Sequence, residues 1–161
     1  MTTLPDIRVG TGFDVHAFDE GSPLRLAGID WPGEVGLSGH SDGDAVCHAV
    51  VDALLAAAGL GDIGGLVGVD EPGTKDAAST GFVRLALALL AENGFRPVNV
   101  SVQIVGNRPK FAPRRAEAQR VMTELVGAPV SLSATTSDGL GFTGRGEGIA
   151  AIATALIARS A

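Results

Sequence analysis

The chain has 161 residues, 45% hydrophobic and 19% charged, with a formal net charge of −6. This suits a single domain over residues 1–161 with a sizeable core, and excludes a disordered chain or a basic tail. The acidic balance also argues against nucleic-acid binding, which needs a basic surface to displace counterions.

Cys47 is the only cysteine, so an intrachain disulfide is excluded. Residues Met1 to Asp6 lack a basic segment followed by an apolar one. The longest apolar runs are too short for a bilayer, so a soluble, cytoplasmic protein with no membrane partner is expected.

In chain order, Ile7 to Val15 alternates and is rich in β-formers, which predicts a strand. Leu24 to Trp31 predicts a short hairpin with Gly28 near its turn. A helix is expected over Asp44 to Ala58, capped by Asp42 or Asp44 and stopped by Gly59. Gly61 to Lys75 reads as a loop, and Ala77 to Asn93 as a second helix closed by Gly94. Val98 to Val105 is a predicted strand, Pro113 to Val126 an amphipathic helix ended by Gly127, and Val130 to Thr136 another strand. Gly148 to Ala158 has the alanines of a helix, but its branched residues suit a buried strand, which is the reading adopted. The expected fold is an α+β two-layer sandwich: a mixed four-stranded sheet covered on one face by helices, with a small N-terminal hairpin. The uncovered sheet face points to a homo-oligomer.

All three histidines, His16, His40 and His48, fall in one early stretch among Asp14, Asp42, Asp44 and Asp52. Asp14 and His16 are two apart on a predicted strand and share a face. Asp44, His48 and Asp52 are four apart and line one stripe of a helix. Asp14, His16 and His48 therefore form a candidate three-ligand set for Zn2+ or another divalent transition metal, with the fourth position open as in a working site. Asp52 is expected to accept a hydrogen bond from the His48 ring. Cys47 points away round the helix and is expected in the core.

Gly39 to Asp44 precedes a helix N-terminus and is either an anion site or an ordinary capping turn. Ala134 to Asp138, followed by the glycine-rich run Gly139 to Gly148, offers hydroxyls, amides and Arg145 to phosphate oxygens. There Asp138 is a candidate ligand for Mg2+ carried by a diphosphate. The alternative is a long glycine turn with an Arg145–Glu147 salt bridge. Gly106 to Phe111 is a proline-fixed loop that either reads a base edge or merely connects elements. Arg114, Arg115 and Arg120, alternating with Glu117, read as a solvated helix face.

Gly12-Phe13-Asp14-Val15-His16, His40-Ser41-Asp42-Gly43-Asp44, Gly61-Asp62-Ile63-Gly64 and Gly141-Phe142-Thr143-Gly144-Arg145-Gly146-Glu147-Gly148 together resemble the 2-C-methyl-D-erythritol 2,4-cyclodiphosphate synthase family, from about Ile7 to the C-terminus. The resemblance implies a homotrimer whose sheets face the threefold axis, with active sites between neighbouring subunits. It implies cyclisation of 4-diphosphocytidyl-2-C-methyl-D-erythritol 2-phosphate with release of CMP, in the methylerythritol phosphate route to isoprenoids. It places zinc on Asp14, His16 and His48, and phosphate and transition-state contacts on His40, Ser41 and Thr136. Asp62 and Gly64 fall on the erythritol-binding turn. The nucleotide loop falls on Gly106, Asn107, Arg108, Pro109, Lys110, Phe111 and Ala112. Thr135 and Thr136 lie near the diphosphate, with Ser137 beside them, while Phe142 and Arg145 match positions near the threefold axis.

Two departures stand out. Val69 occupies the place of a sugar-contacting aspartate, leaving Asp70 as its substitute, and Asp138 replaces the usual glutamate magnesium ligand. Two rival functions are a zinc-dependent phosphohydrolase and a non-enzymatic trimeric small-molecule binder with a structural metal.

Overall fold

The computed structural model describes residues 6–68 and 77–160. Strand β1 (Ile7–Leu26) turns at Ala27-Gly28 into β2 (Ile29–Leu37), and helix α1 (Ala45–Ala58) follows. Next come the single turn α2 (Ile63–Val67), helix α3 (Ser79–Glu92) and strand β3 (Phe95–Val105). A 3-10 turn at Ala112–Arg114 opens helix α4 (Arg115–Val126), followed by β4 (Val130–Thr135), the short helix α5 (Gly141–Gly144) and β5 (Gly148–Arg159).

The strands form one five-stranded sheet in the order β2-β1-β5-β3-β4, parallel only between β3 and β4. This corrects the expected four-stranded sheet with a separate hairpin. The first half of β1 pairs with β5 from Ile7↔Ala158 to Ala17↔Gly148, and its second half pairs with β2. Asp19 to Pro23 resembles a loop in composition, but the ladder absorbs it as a register shift. The ambiguous last segment is a strand, as expected from its branched residues.

Helix α1 begins and ends where capping chemistry places it. Asp44 accepts from the Val46 and Cys47 amides, and Gly59 closes the helix with a left-handed φ of 72°. The Asp44 carboxylate also accepts from Ala27 N at 2.9 Å and Gly28 N at 2.7 Å, which ties the hairpin turn to the helix start. This carboxylate is 1% exposed and holds four amides. Asp44→Ala is expected to lower unfolding free energy by about 3 kcal/mol or more, read by urea denaturation, because three buried donors and one half-buried donor lose a charged acceptor. A loss under about 1 kcal/mol would mean that those amides find other partners.

Helices α1, α3 and α4 cover one face of the sheet, and Cys47 lies in that core as expected. The opposite face carries Ile7, Val9, Phe13, Val15 and Ile152 exposed to solvent, with Val9 64% and Phe13 58% exposed.

Candidate metal centre and adjoining clefts

Alternation along β1 puts Gly10, Gly12, Asp14 and His16 on the face that meets α1. The two glycines let the helix backbone lie directly on the strand. A Cβ on Gly12 would stand 2.0 Å from Ala49 O, and one on Gly10 2.1 Å from Ala53 O. This close approach brings His48, near the start of α1, over the middle of β1 beside Asp14 and His16.

Asp14 Oδ2 lies 2.8 Å from His16 Nε2 and 3.2 Å from His48 Nδ1, and the two nitrogens are 3.1 Å apart. A tetrahedral zinc with bonds of about 2.0–2.1 Å spaces its ligand atoms about 3.3 Å apart. The one carboxylate and two imidazoles therefore fit a borderline divalent cation in both chemistry and spacing. Among the described residues, this is the group of His, Cys, Asp and Glu placed closely enough to hold one. Burial pushes the Asp14 carboxyl up, but its bonds to His16 and His48 outweigh that and hold it below the usual range. Burial likewise opposes a proton on His16, yet the Asp14 partner raises its pKa above that of an ordinary imidazole.

The far edges of both rings are also engaged. His16 Nδ1 meets the Ser38 carbonyl. His48 Nε2 lies 2.8 Å from Ser79 Oγ and 3.0 Å from Ser41 Oγ. Asp42 accepts from the Ser79 hydroxyl, and from the Ser79 amide at 3.0 Å. Asp52 does not reach His48 as expected. Its Oδ1 accepts from Ile63 N at 2.8 Å and so anchors α2. Ser79, Ser38 and the ring-supporting role of Asp42 were not foreseen. The one available signal for Ser79 was its place at the true start of α3, two residues beyond the expected Ala77.

A cleft of about 250 Å3 opens at the cluster, lined by Asp14, His16 and His48 together with His40, Ser41 and Gly64. His40 stands exposed on its rim. Asp62 caps α2 by accepting from Gly65 N at 2.9 Å. The stretch expected as a loop from Gly61 thus contains a helical turn. Val69 and Asp70 lie outside the described residues.

A second cleft, about 230 Å3, lies at the C-terminal ends of β3 and β4 and shares no lining residue with the first. Gly106, Asn107, Pro109, Lys110, Phe111 and Ala112 line it along with Thr135 and Thr136. Asn107 Nδ2 donates to Gly144 O at 2.9 Å. The Arg108 guanidinium lies 4.3 Å above the Phe18 ring, away from this lining. The Phe111 ring is buried against Trp31, centroids 5.5 Å apart, so it supports the cleft from beneath.

In the glycine-rich run, Ser137 Oγ donates to Leu140 O at 2.6 Å and lies 2.7 Å from Thr143 Oγ1, which shapes the turn. Thr136 Oγ1 donates to Asp138 Oδ1 at 3.3 Å, and Asp138 is exposed with a left-handed φ of 51°. Phe142 is half-buried. Arg145 pairs with Glu147 at 3.0 Å, the salt bridge weighed as the alternative. Arg114 likewise pairs with Glu117, and Arg120 with Glu124.

The YgbB family profile matches residues 7–158. The chain is 54% identical over 155 residues to a 2-C-methyl-D-erythritol 2,4-cyclodiphosphate synthase of Cutibacterium acnes, covering 96% of this chain and 92% of that one. It is 60% identical over 153 residues to a bifunctional enzyme IspD/IspF of Clavibacter michiganensis, covering 95% of this chain but only 37% of that longer protein. A solved structure of IspF from Plasmodium falciparum in complex with CDP superposes with a TM-score of 0.84 at 27% identity, over 99% of this chain and 100% of that one.

Proposed function

We propose that this chain, which belongs to the YgbB family, converts 4-diphosphocytidyl-2-C-methyl-D-erythritol 2-phosphate to 2-C-methyl-D-erythritol 2,4-cyclodiphosphate and CMP. Its 54% identical relative is named as the synthase of that cyclic diphosphate, and we read the reaction as a phosphorus–oxygen lyase step in the non-mevalonate route to isoprenoid precursors. The observation that carries the reading is the convergence of Asp14, His16 and His48 in the lining of a cleft. A separate cleft at the ends of β3 and β4 suits a nucleotide.

Asp14, His16 and His48 would hold Zn2+, and Asp138 would help hold Mg2+ at the substrate diphosphate. Bound there, divalent cations supply positive charge that offsets repulsion between the phosphate groups and stabilises the departing one. The nucleophile is the substrate's own 2-phosphate. One of its oxygens forms a bond to the β-phosphorus as the bond between that phosphorus and the CMP oxygen breaks. No proton leaves carbon, and no protein base is needed.

The protein therefore works by alignment, which is worth about 7–11 kcal/mol in favourable intramolecular cases. His40 and Ser41 hold phosphate oxygens at the rim, and Thr135 and Thr136 contact the diphosphate. Asp62 and Gly64 orient the erythritol hydroxyls, and Asp70 takes the place of the family's sugar-contacting aspartate. Residues 106–112 present backbone groups to the cytosine edge. Ser137, Phe142 and Arg145 complete the substrate contacts.

The apolar face of β1 and β5 supports a homotrimer with the sheets turned towards the threefold axis. The lack of shared lining residues supports active sites completed by a neighbouring subunit. No helix among the described residues is long and apolar enough to cross a membrane, and a cytoplasmic enzyme fits that.

A 31P NMR time course with the cytidylyl substrate, run with and without chelator, tests the reaction. The expected products are CMP and a cyclic diphosphate, with turnover abolished by chelation. Release of inorganic phosphate would instead identify a phosphohydrolase, and an unchanged spectrum a binding protein.

A further inference from the structure

We infer that Ser79 and Asp42 are positioning residues that fix the ring tautomer of His48, so that the two histidines of the cluster present opposite nitrogens to the cation. The inference rests on reading Asp14, His16 and His48 as a metal site. His16 Nδ1 faces the Ser38 carbonyl. A carbonyl can only accept, so Nδ1 carries the proton and Nε2 is left as the donor atom of the cluster. His48 is turned the other way, with Nδ1 on Asp14 at 3.2 Å and Nε2 on Ser79 Oγ at 2.8 Å.

Taken alone, a serine hydroxyl accepts or donates equally well. Asp42 removes that freedom: its carboxylate accepts from the Ser79 hydroxyl and, at 3.0 Å, from the Ser79 amide. With the hydroxyl proton committed to Asp42, Ser79 Oγ can only accept from His48. Nε2 then holds the ring proton, and the Nδ1 lone pair faces Asp14 and His16. Ser79 is fully buried and His48 is 9% exposed, so water is a poor substitute for either partner. Ser41 Oγ, 3.0 Å from the same nitrogen, lines the cleft. It can turn towards a phosphate while Ser79 keeps the ring in place. A partner of this kind typically changes metal affinity 10–100-fold.

The protein has only three histidines, so long-range 1H–15N NMR resolves each imidazole. In the zinc-loaded chain His48 should carry its proton on Nε2 and His16 on Nδ1, and in the metal-free chain His48 should still carry its proton on Nε2. Ser79→Ala should bind zinc about 10–100-fold more weakly in a chelator competition while its metal-free melting temperature stays within a few degrees. Asp42→Asn, which keeps an acceptor but loses its charge, should fall between. A proton on Nδ1 of His48, or wild-type zinc affinity in a folded Ser79→Ala chain, would overturn the inference. Failure of the wild-type chain to take up stoichiometric zinc would instead overturn the metal reading, while the metal-free spectrum still decides the tautomer. If Ser79→Ala does not fold, the wild-type spectra and Asp42→Asn carry the test.

Discussion

His48→Ala is expected to abolish stoichiometric metal and to lower kcat/KM about 10^3-fold or more, with the fold intact. Removing its imidazole leaves one carboxylate and one ring, which already pair with each other at 2.8 Å. Two ligands do not make a zinc site of useful affinity, and losing even a single hydrogen-bond donor to a transition-state charge costs about 10^2–10^3 in rate, so losing a whole cation costs at least as much. The helix should survive, because its cap is Asp44 rather than His48. Acid should act in the same direction as the mutation. A proton on His16 competes with the cation, and Asp14 raises the pKa of His16 above the ordinary value of 6.5. Zinc loading at limiting metal should therefore begin to fall on the alkaline side of that value as pH is lowered, and recover as it is raised. Elemental analysis of the variant, with loading curves against pH for the wild type, decides both points. An active His48→Ala chain with full metal would remove His48 from the site.

Much of this was legible because it is written in local periodicity. Gly59 and Gly127 end α1 and α4 with left-handed φ values of 72° and 73°, as residues without a Cβ are selected to do. The two-residue spacing of Asp14 and His16 fixes their shared face wherever the strand runs. The illegible parts depend on distant partners. Helix α2 contains Gly64 and Gly65, which disfavour a helix, and is held by Asp62 at its cap and by Asp52 reaching across from α1. The turn at Gly141–Gly144 forms because Gly144 packs on Gly139, where an added Cβ would stand 2.2 Å from the carbonyl carbon. Asp52 lies on the same helical stripe as His48, so spacing alone assigned it to the wrong partner. Ser79 is 31 residues from His48 in the chain, and no local pattern joins them.

Gly12→Ala should be as damaging to metal binding as the loss of a ligand, although Gly12 touches no cation. Its added Cβ would stand 2.0 Å from Ala49 O and 2.6 Å from Ala53 N. A relaxed contact is about 3.5 Å, so α1 would have to retreat by roughly 1.5 Å. Metal–ligand distances tolerate only about 0.2 Å, and the retreat carries His48 away from Asp14 and His16. Overpacking of a core costs about 1–3 kcal/mol when side chains can yield. Here the obstacle is backbone, and a loss of at least 3 kcal/mol is expected. Trimming Ala49 to glycine cannot relieve it, since the atom met is the Ala49 carbonyl oxygen. Gly81→Ala is the matched control. Gly81 lies in α3 with nothing within 4 Å of an added Cβ, so alanine there should stabilise the chain by about 0.5–1 kcal/mol. Urea denaturation and chelator competition on the two variants separate the general effect of replacing a glycine from the specific need for contact between strand and helix backbones. A Gly12→Ala chain with wild-type stability and zinc affinity would show that the helix reaches its place over β1 by some other means.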